Sequence, residues 1–261
     1  MIIDTHSHLN DEKFKDDYEN IISDFEKNNV KSAFVVGCDK EGIFNSLNIS
    51  QKYDSVFSII GLHPEYADEF DDEIYHIIDT YSQNEKVVAI GEIGLDYHYN
   101  SENKEKQKEV FIKQLELAFK HNLPVSLHIR DAHADAIELL KEHKNLLKFG
   151  GVVHCFSGSE EIAVEYLKLG LYLGFGGVVT FKNAKKLPDV VAITPLDKFV
   201  LETDAPYLAP DPFRGTRNEP KLIKYIVDKV ASIKLISPQE VERQAEINTK
   251  NLFKRFNLLW I

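Results

Sequence analysis

Ile2-Ile3-Asp4-Thr5-His6-Ser7-His8 sets an apolar, β-branched run directly before two histidines. Apolar runs of the same kind return at Ala33-Phe34-Val35-Val36, Val56 to Ile60, Val87 to Ile90, Val125 to Leu127, Val152-Val153, Leu171 to Phe175 and Phe199 to Leu201. The stretches between them carry helical spacing, as in Val110, Phe111, Leu115 and Ala118, or Ile223, Ile226, Val227 and Val230. Candidate strand ends fall near positions 6, 36, 63, 92, 128, 154, 175 and 204, a spacing typical of βα units. Eight such units predict an α/β fold, a single (β/α)8 TIM barrel. An open dinucleotide-binding sheet would carry a G-x-G-x-x-G turn after its first strand, and none is present. After the eighth unit, Pro238 to Phe256 places Val241, Ala245, Leu252 and Phe256 at helical spacing, which predicts an extra C-terminal helix outside or under the barrel.

Length and composition fit that reading. The 261 residues, 43% apolar and 28% charged, suit one barrel domain over 1–261, and no linker or repeat divides them. No apolar run approaches a membrane span and the first residues do not read as a secretory signal, so a cytoplasmic protein is expected. The formal charge of −11 argues against a basic protein that coats DNA. It leaves room for a nucleic-acid enzyme, because cations in a cleft reverse the local potential. Two cysteines, Cys38 and Cys155, make no disulfide framework and are expected as buried, reduced thiols.

The chemistry is carried by where the polar residues stand. His6, His8, His63, Glu92, His128, His154 and Asp204 fall at the C-terminal ends of apolar runs, and in a barrel those ends converge on one mouth. A lone H-x-H pair is weak, but that convergence is not expected of unrelated surface residues. Imidazole and carboxylate suit Mg, Mn, Zn or Ni, and the set exceeds what one ion needs. Two divalent cations are therefore expected, with Glu92 as the bridge and Asp204 as both ligand and general base. A divalent cation lowers the pKa of its water from 15.7 toward ~7, so no nucleophilic side chain is required. Adjacent strand residues face opposite ways, which separates Cys155 from His154 and disfavours a thiol dyad.

These stretches resemble the TatD family of metal-dependent deoxyribonucleases, within the amidohydrolase-like barrels. The resemblance rests on Ile3-Asp4-Thr5-His6-Ser7-His8, Gly61-Leu62-His63-Pro64, Gly91-Glu92-Ile93-Gly94-Leu95-Asp96-Tyr97, Leu127-His128-Ile129-Arg130, His154-Cys155-Phe156-Ser157-Gly158 and Leu201-Glu202-Thr203-Asp204-Ala205-Pro206. It implies metal ligation by His6, His8, Glu92, His128, His154 and Asp204, with Glu92 shared. It also implies hydrolysis of DNA phosphodiester bonds, 3′ to 5′, on single strands or 3′ ends. The alternative is a metal-dependent amidohydrolase or a D-aminoacyl-tRNA deacylase acting on an amide or ester bond. Dinuclear amidohydrolases often bridge their metals with a carbamylated Lys on the fourth strand, where this chain has Glu92.

Supporting residues have two readings each. His63 is placed outside the metal ligands, against substrate or a ligand. Arg130, Arg214 and Arg217 are candidate phosphate clamps or loop braces, and Lys182 in Phe181-Lys182-Asn183-Ala184-Lys185-Lys186 is a backbone contact or a solvated charge. Tyr97, Phe156 and Tyr207 are base-stacking candidates or packing residues. Glu202 shares the face of Asp204 and orients a ligand or serves structure. His76, His98, His121, His133 and His143 are expected on the surface. The expected partner is DNA as substrate, with no membrane and no obligate protein partner.

Overall fold

The computed structural model describes residues 1–98 and 102–259. Its strands are β1 (Ile2–Ser7), β2 (Val30–Gly37), β3 (Val56–Ile60), β4 (Val87–Asp96), β5 (Val125–Arg130), β6 (Gly151–Val153), β7 (Tyr172–Phe175) and β8 (Phe199–Leu201). They pair in parallel in sequence order, from β1 through to β8. A parallel bridge between Ser7 and Ala205 brings the last strand back to the first. The backbone bonds Asp204 N to His6 O (2.9 Å) and His8 N to Ala205 O (2.6 Å) extend that seam. The buried Asp4 reinforces it: Oδ1 accepts from the Thr203 amide at 2.8 Å and Oδ2 from the Thr203 hydroxyl at 2.5 Å. Burial raises the Asp4 carboxyl to about 7 even though these bonds favour its charge. This is the expected (β/α)8 barrel.

The crossover helices are amphipathic for local reasons. Asp39 and Asp71 begin two of them by accepting from the amides of Gly42 and Ile74, three residues on. The helix Lys104–Lys120 buries Val110, Phe111, Leu115, Leu117 and Ala118, together with Gln107 and Gln114. Those two amides, seven residues apart and so near one stripe, clamp strand-end peptides. Gln107 bonds both the N–H and the C=O of Asp96, and Gln114 does the same for Leu62. Each clamp fixes backbone beside a mouth residue.

At the floor, Ile3, Phe34, Val36, Phe57, Ile59, Val88, Ala89, Val152 and Val200 form an interior cluster that is closed by Leu252, Phe253 and Phe256. The extra C-terminal segment therefore packs under the barrel. It is two helices, Pro238–Leu252 and Lys254–Leu259, where one continuous helix was expected. Phe253 leaves helical geometry at φ −93°, ψ 73°, which turns its ring up into the floor. Arg255 then donates to the carbonyls of Ser82, Asn84 and Val87, tying the plug to the entry of β4. Among the described residues no helix is long and apolar enough to cross a membrane.

Candidate metal centre

Two pairing irregularities aim the central side chains. Between Asp4 and Ser7, three steps along β1 match two along β2. Strict alternation from the inward Ile3 would send His6 outside; the extra residue turns it into the mouth instead. The β4–β5 pairing skips likewise between Ile90 and Ile93, where Glu92 turns inward. Gly94 permits the close approach that follows, at φ +143°, since a Cβ there would lie 2.1 Å from the carbonyl oxygen of His128.

Glu92 is the hub. Its Oε2 lies 3.3 Å from His6 Nε2 and 3.9 Å from His8 Nε2. Its Oε1 lies 2.6 Å from His128 Nδ1 and 3.1 Å from His154 Nε2. Asp204 Oδ1 stands 3.3 Å from His8 Nε2 and 4.0 Å from His6 Nε2. The structure thus brings together all six expected ligands, and it divides the two oxygens of Glu92 between two sets of imidazoles. Burial opposes charge on Glu92, but His154 and His6 hold its carboxyl well below the usual range. Burial likewise opposes charge on Asp204, but the hydrogen bond from His8 together with the neighbouring His154, His8 and His6 rings outweighs it and holds the carboxyl below its ordinary value. His6 is pushed down by burial and by His154. His154 goes the other way, raised well above its ordinary value by Glu92 and Glu202 against burial.

The donor set fits divalent cations. His6 Nε2 is buried without a hydrogen-bond partner among the described residues, which is costly for a buried nitrogen and natural for one that ligates a metal. Among the described residues two groups of donor atoms close enough to share an ion, His6–His8–Glu92 and His63–Glu92–His128, have Glu92 in common; a third joins His6, His154 and Glu202. Nitrogen and carboxylate together suit borderline divalent ions.

Behind the ligands stand carboxylates. Asp96 Oδ2 meets His128 Nε2 at 2.8 Å and leaves Nδ1 turned toward Glu92. Glu202 Oε1 lies 3.2 Å from His154 Nδ1, close enough to pair though not aligned as a hydrogen bond, and also accepts from the Cys155 amide. Such partners fix ring orientation and tautomer. Glu202 takes the orienting reading. Asp96 had no role in the sequence reading, yet Glu92, Gly94 and Asp96 alternate along β4, and that parity was a usable signal.

His63 caps the turn Pro64–Glu69, its Nδ1 accepting from the Glu65 amide at 3.1 Å. Burial and the neighbouring His128 lower its pKa to about 3. A neutral ring that accepts at Nδ1 carries its proton on Nε2. In that tautomer Nε2, 3.8 Å from Glu92, is a donor, which fits the reading of His63 as a contact to substrate or to a ligand.

The mouth opens into a cavity of about 1070 Å³ lined by His8, Glu92, His128, His154, Asp204, Arg130, Tyr207 and Leu208, with His6 buried behind it. Asp11, Glu12, Asp39, Glu41 and Glu65 line it as well, so this rim is acidic. Lys182 and Arg214 do not line the cavity; both are exposed on loops outside it. Arg214 bonds Asn183 at 3.1 Å and lies over the Phe181 ring. Arg217 pairs with Asp17 and Glu219, which makes it a brace. Phe156 is buried against His133 and Tyr166, and Tyr97 is tied to Asp135, so neither faces the cavity. Cys38 and Cys155 are free but half-buried, and Cys38 lines the cavity with Sγ 3.5 Å from Glu92. Because β6 ends at Val153, Cys155 lies beyond the strand at φ +46°, and strand alternation does not govern its direction. His121 and His133 are half-buried, paired with Asp79 and Tyr166, because helix faces that meet the barrel also carry polar contacts.

The sequence matches the family model of TatD-related DNases over residues 3–254. YabD of Bacillus subtilis, described as an uncharacterised metal-dependent hydrolase, is 44% identical over 254 residues, covering 97% of this chain and 99% of its own. YcfH of Escherichia coli, described in the same terms, is 35% identical over 262 residues, covering 99% and 96%. The crystal structure of YjjV, a TatD homologue from Escherichia coli, superposes with a TM-score of 0.92 at 32% identity, over 97% of this chain and 98% of that one. Matches of that length, on a barrel whose mouth is built for divalent ions, establish that the chain belongs to the TatD-related DNase family of metal-dependent hydrolases.

Proposed function

We propose that this protein is a deoxyribonuclease that hydrolyses DNA phosphodiester bonds from 3′ ends with two divalent cations. The observation that carries the reading is the division of Glu92, with Oε2 toward His6 and His8 and Oε1 toward His128 and His154. His6, His8 and Asp204 would hold one ion, His128 and His154 the other, with Glu92 shared. Divalent ions held there supply Lewis acidity, acidifying water and neutralising phosphate oxygens.

The chain's own residues do the rest. Asp204, kept ionised beside His8, accepts at Oδ1 the proton of the attacking water. His63 offers Nε2–H to a phosphate oxygen, and Arg130 offers its guanidinium from the same cavity. The new P–O bond forms as the P–O3′ bond breaks, and the departing oxygen is protonated from solvent. Asp96 and Glu202 hold His128 and His154 in place throughout.

One observation favours a second reading. The acidic rim of Asp39, Glu41 and Glu65 suits a substrate that carries an ammonium group, as an aminoacyl ester does. One experiment separates the two: single-stranded DNA labelled at either end and D-aminoacyl-tRNA are incubated in parallel with protein loaded with Mg, Mn or Zn. Asp204→Ala and chelator controls accompany both. Metal-dependent shortening from the 3′ end that vanishes in Asp204→Ala supports the nuclease. Intact DNA beside a deacylated tRNA moves the ester reading to the front.

A further inference from the structure

Three aromatic side chains near strand ends were candidates to meet a base, and only Tyr207 lines the cavity. The residue is 44% exposed and its ring stands edge-on to His8, with ring centroids 6.0 Å apart. It is also held still. The Tyr207 hydroxyl donates to Asp11 Oδ2 at 2.8 Å, its amide to the Asp204 carbonyl at 2.8 Å, and the buried Asn218 donates to its carbonyl at 2.7 Å. Asn218 bonds the Thr203 carbonyl as well, so the platform and the strand end that bears Asp204 are pinned by one side chain. The Lys13 ammonium lies 4.5 Å from the ring centre, and Leu208, 37% exposed, continues the surface.

An exposed aromatic ring, held by hydrogen bonds rather than by burial, thus stands three residues from a candidate base. From it we infer that Tyr207 is the stacking platform for the nucleobase next to the scissile phosphate. The inference rests on the nuclease reading. A phosphate and its own base lie one sugar apart, which is the scale of the His8 to Tyr207 separation. Stacking on a ring that is already immobile costs no side-chain ordering when substrate binds. Tyr207 is thus a positioning residue that selects polymers with bases over bare phosphodiesters, without regard to base identity.

The test compares metal-loaded wild type, Tyr207→Phe and Tyr207→Leu on one oligonucleotide with an ordinary 3′ end and on two others. One of those carries an abasic unit at the terminal position and the other at the penultimate position. Wild type should lose roughly 5- to 100-fold in kcat/KM on one of the two abasic substrates, mainly through KM. Tyr207→Phe, which keeps the ring, should keep most of that preference, and in Tyr207→Leu the ratio should fall toward one. Equal rates of wild type on all three oligonucleotides, or an undiminished preference in Tyr207→Leu, would overturn the inference while leaving the nuclease standing. No cleavage of any oligonucleotide by wild type would remove the nuclease reading and this inference with it. The wild-type comparison stands by itself should Tyr207→Leu fail to fold.

Discussion

At the floor of the barrel Phe34, Phe57, Phe253 and Phe256 meet edge to face, with ring centroids 4.8 to 5.9 Å apart. At the mouth, the ends of β1, β4, β5, β6 and β8 bring His6, His8, Glu92, His128, His154 and Asp204 to within about one metal-ligand shell of each other. The floor lowers its free energy by removing apolar surface from water, and each ring there is satisfied by its neighbours. The mouth buries charges at a cost and, among the described residues, leaves His6 Nε2 without a hydrogen bond. Stability resides chiefly at one end and chemistry at the other. The two should separate under mutation.

The largest effect is expected at the mouth. Asp204→Asn should lower kcat by roughly 10² to 10⁴-fold, as for loss of a general base, while unfolding remains cooperative. Initial rates on DNA and denaturant titration of the same preparation check both halves. The mirror experiment is Phe253→Ala, which should cost about 3 to 5 kcal/mol of stability by opening a cavity under the barrel. The folded fraction should keep a specific activity near that of wild type. If Phe253→Ala abolished turnover in fully folded protein, the separation of the two ends would break.

A smaller effect sharpens the comparison within the mouth. Asp96 does not reach the Glu92 side of His128; it holds the far nitrogen. Asp96→Asn should therefore weaken metal binding or activity about 10- to 100-fold, short of the loss in Asp204→Asn. Titration with Mn and steady-state rates measure it.

Smallest is a pH dependence confined to chelated protein. His8 and His154 have pKa values raised above the ordinary 6.5 by Asp204 and by Glu92, against burial. A histidine raised in the folded state contributes stability that is complete below 6.5 and fades as pH climbs through its folded value. His63, lowered to about 3, acts the other way and only below 6.5. Chelated protein should thus melt at progressively lower temperature above pH 6.5. Metal-loaded protein should not, because ligation favours the deprotonated rings. Parallel melting curves with and without chelator decide this.

The contrast between the ends also explains what could be read in advance. Polar residues that interrupt apolar runs are conspicuous, so His6, His8, Glu92, His128, His154 and Asp204 were all visible before any fold was known, and the barrel brings them together. The inward turn of His6 was not derivable from period-two alternation, because it depends on an irregular pairing with β2. Lys182 and Arg214 were open between contacting a phosphate backbone and a surface role, because a loop's direction leaves no periodic trace, and both stand outside the cavity. The clamps from Gln107 and Gln114 were hidden because a buried amide on an amphipathic helix looks like a polar interruption. The break at Phe253 was concealed by continuous helical spacing from Pro238 to Phe256.

The central claim is that Glu92 joins two cations, and the most direct measurement is Mn(II) titration of metal-free protein followed by electron paramagnetic resonance. Two Mn(II) per chain with an exchange-coupled spectrum are predicted, and Glu92→Gln should lose the coupling and at least one ion. A single Mn(II) per chain in wild type, or two that never couple, would contradict the account.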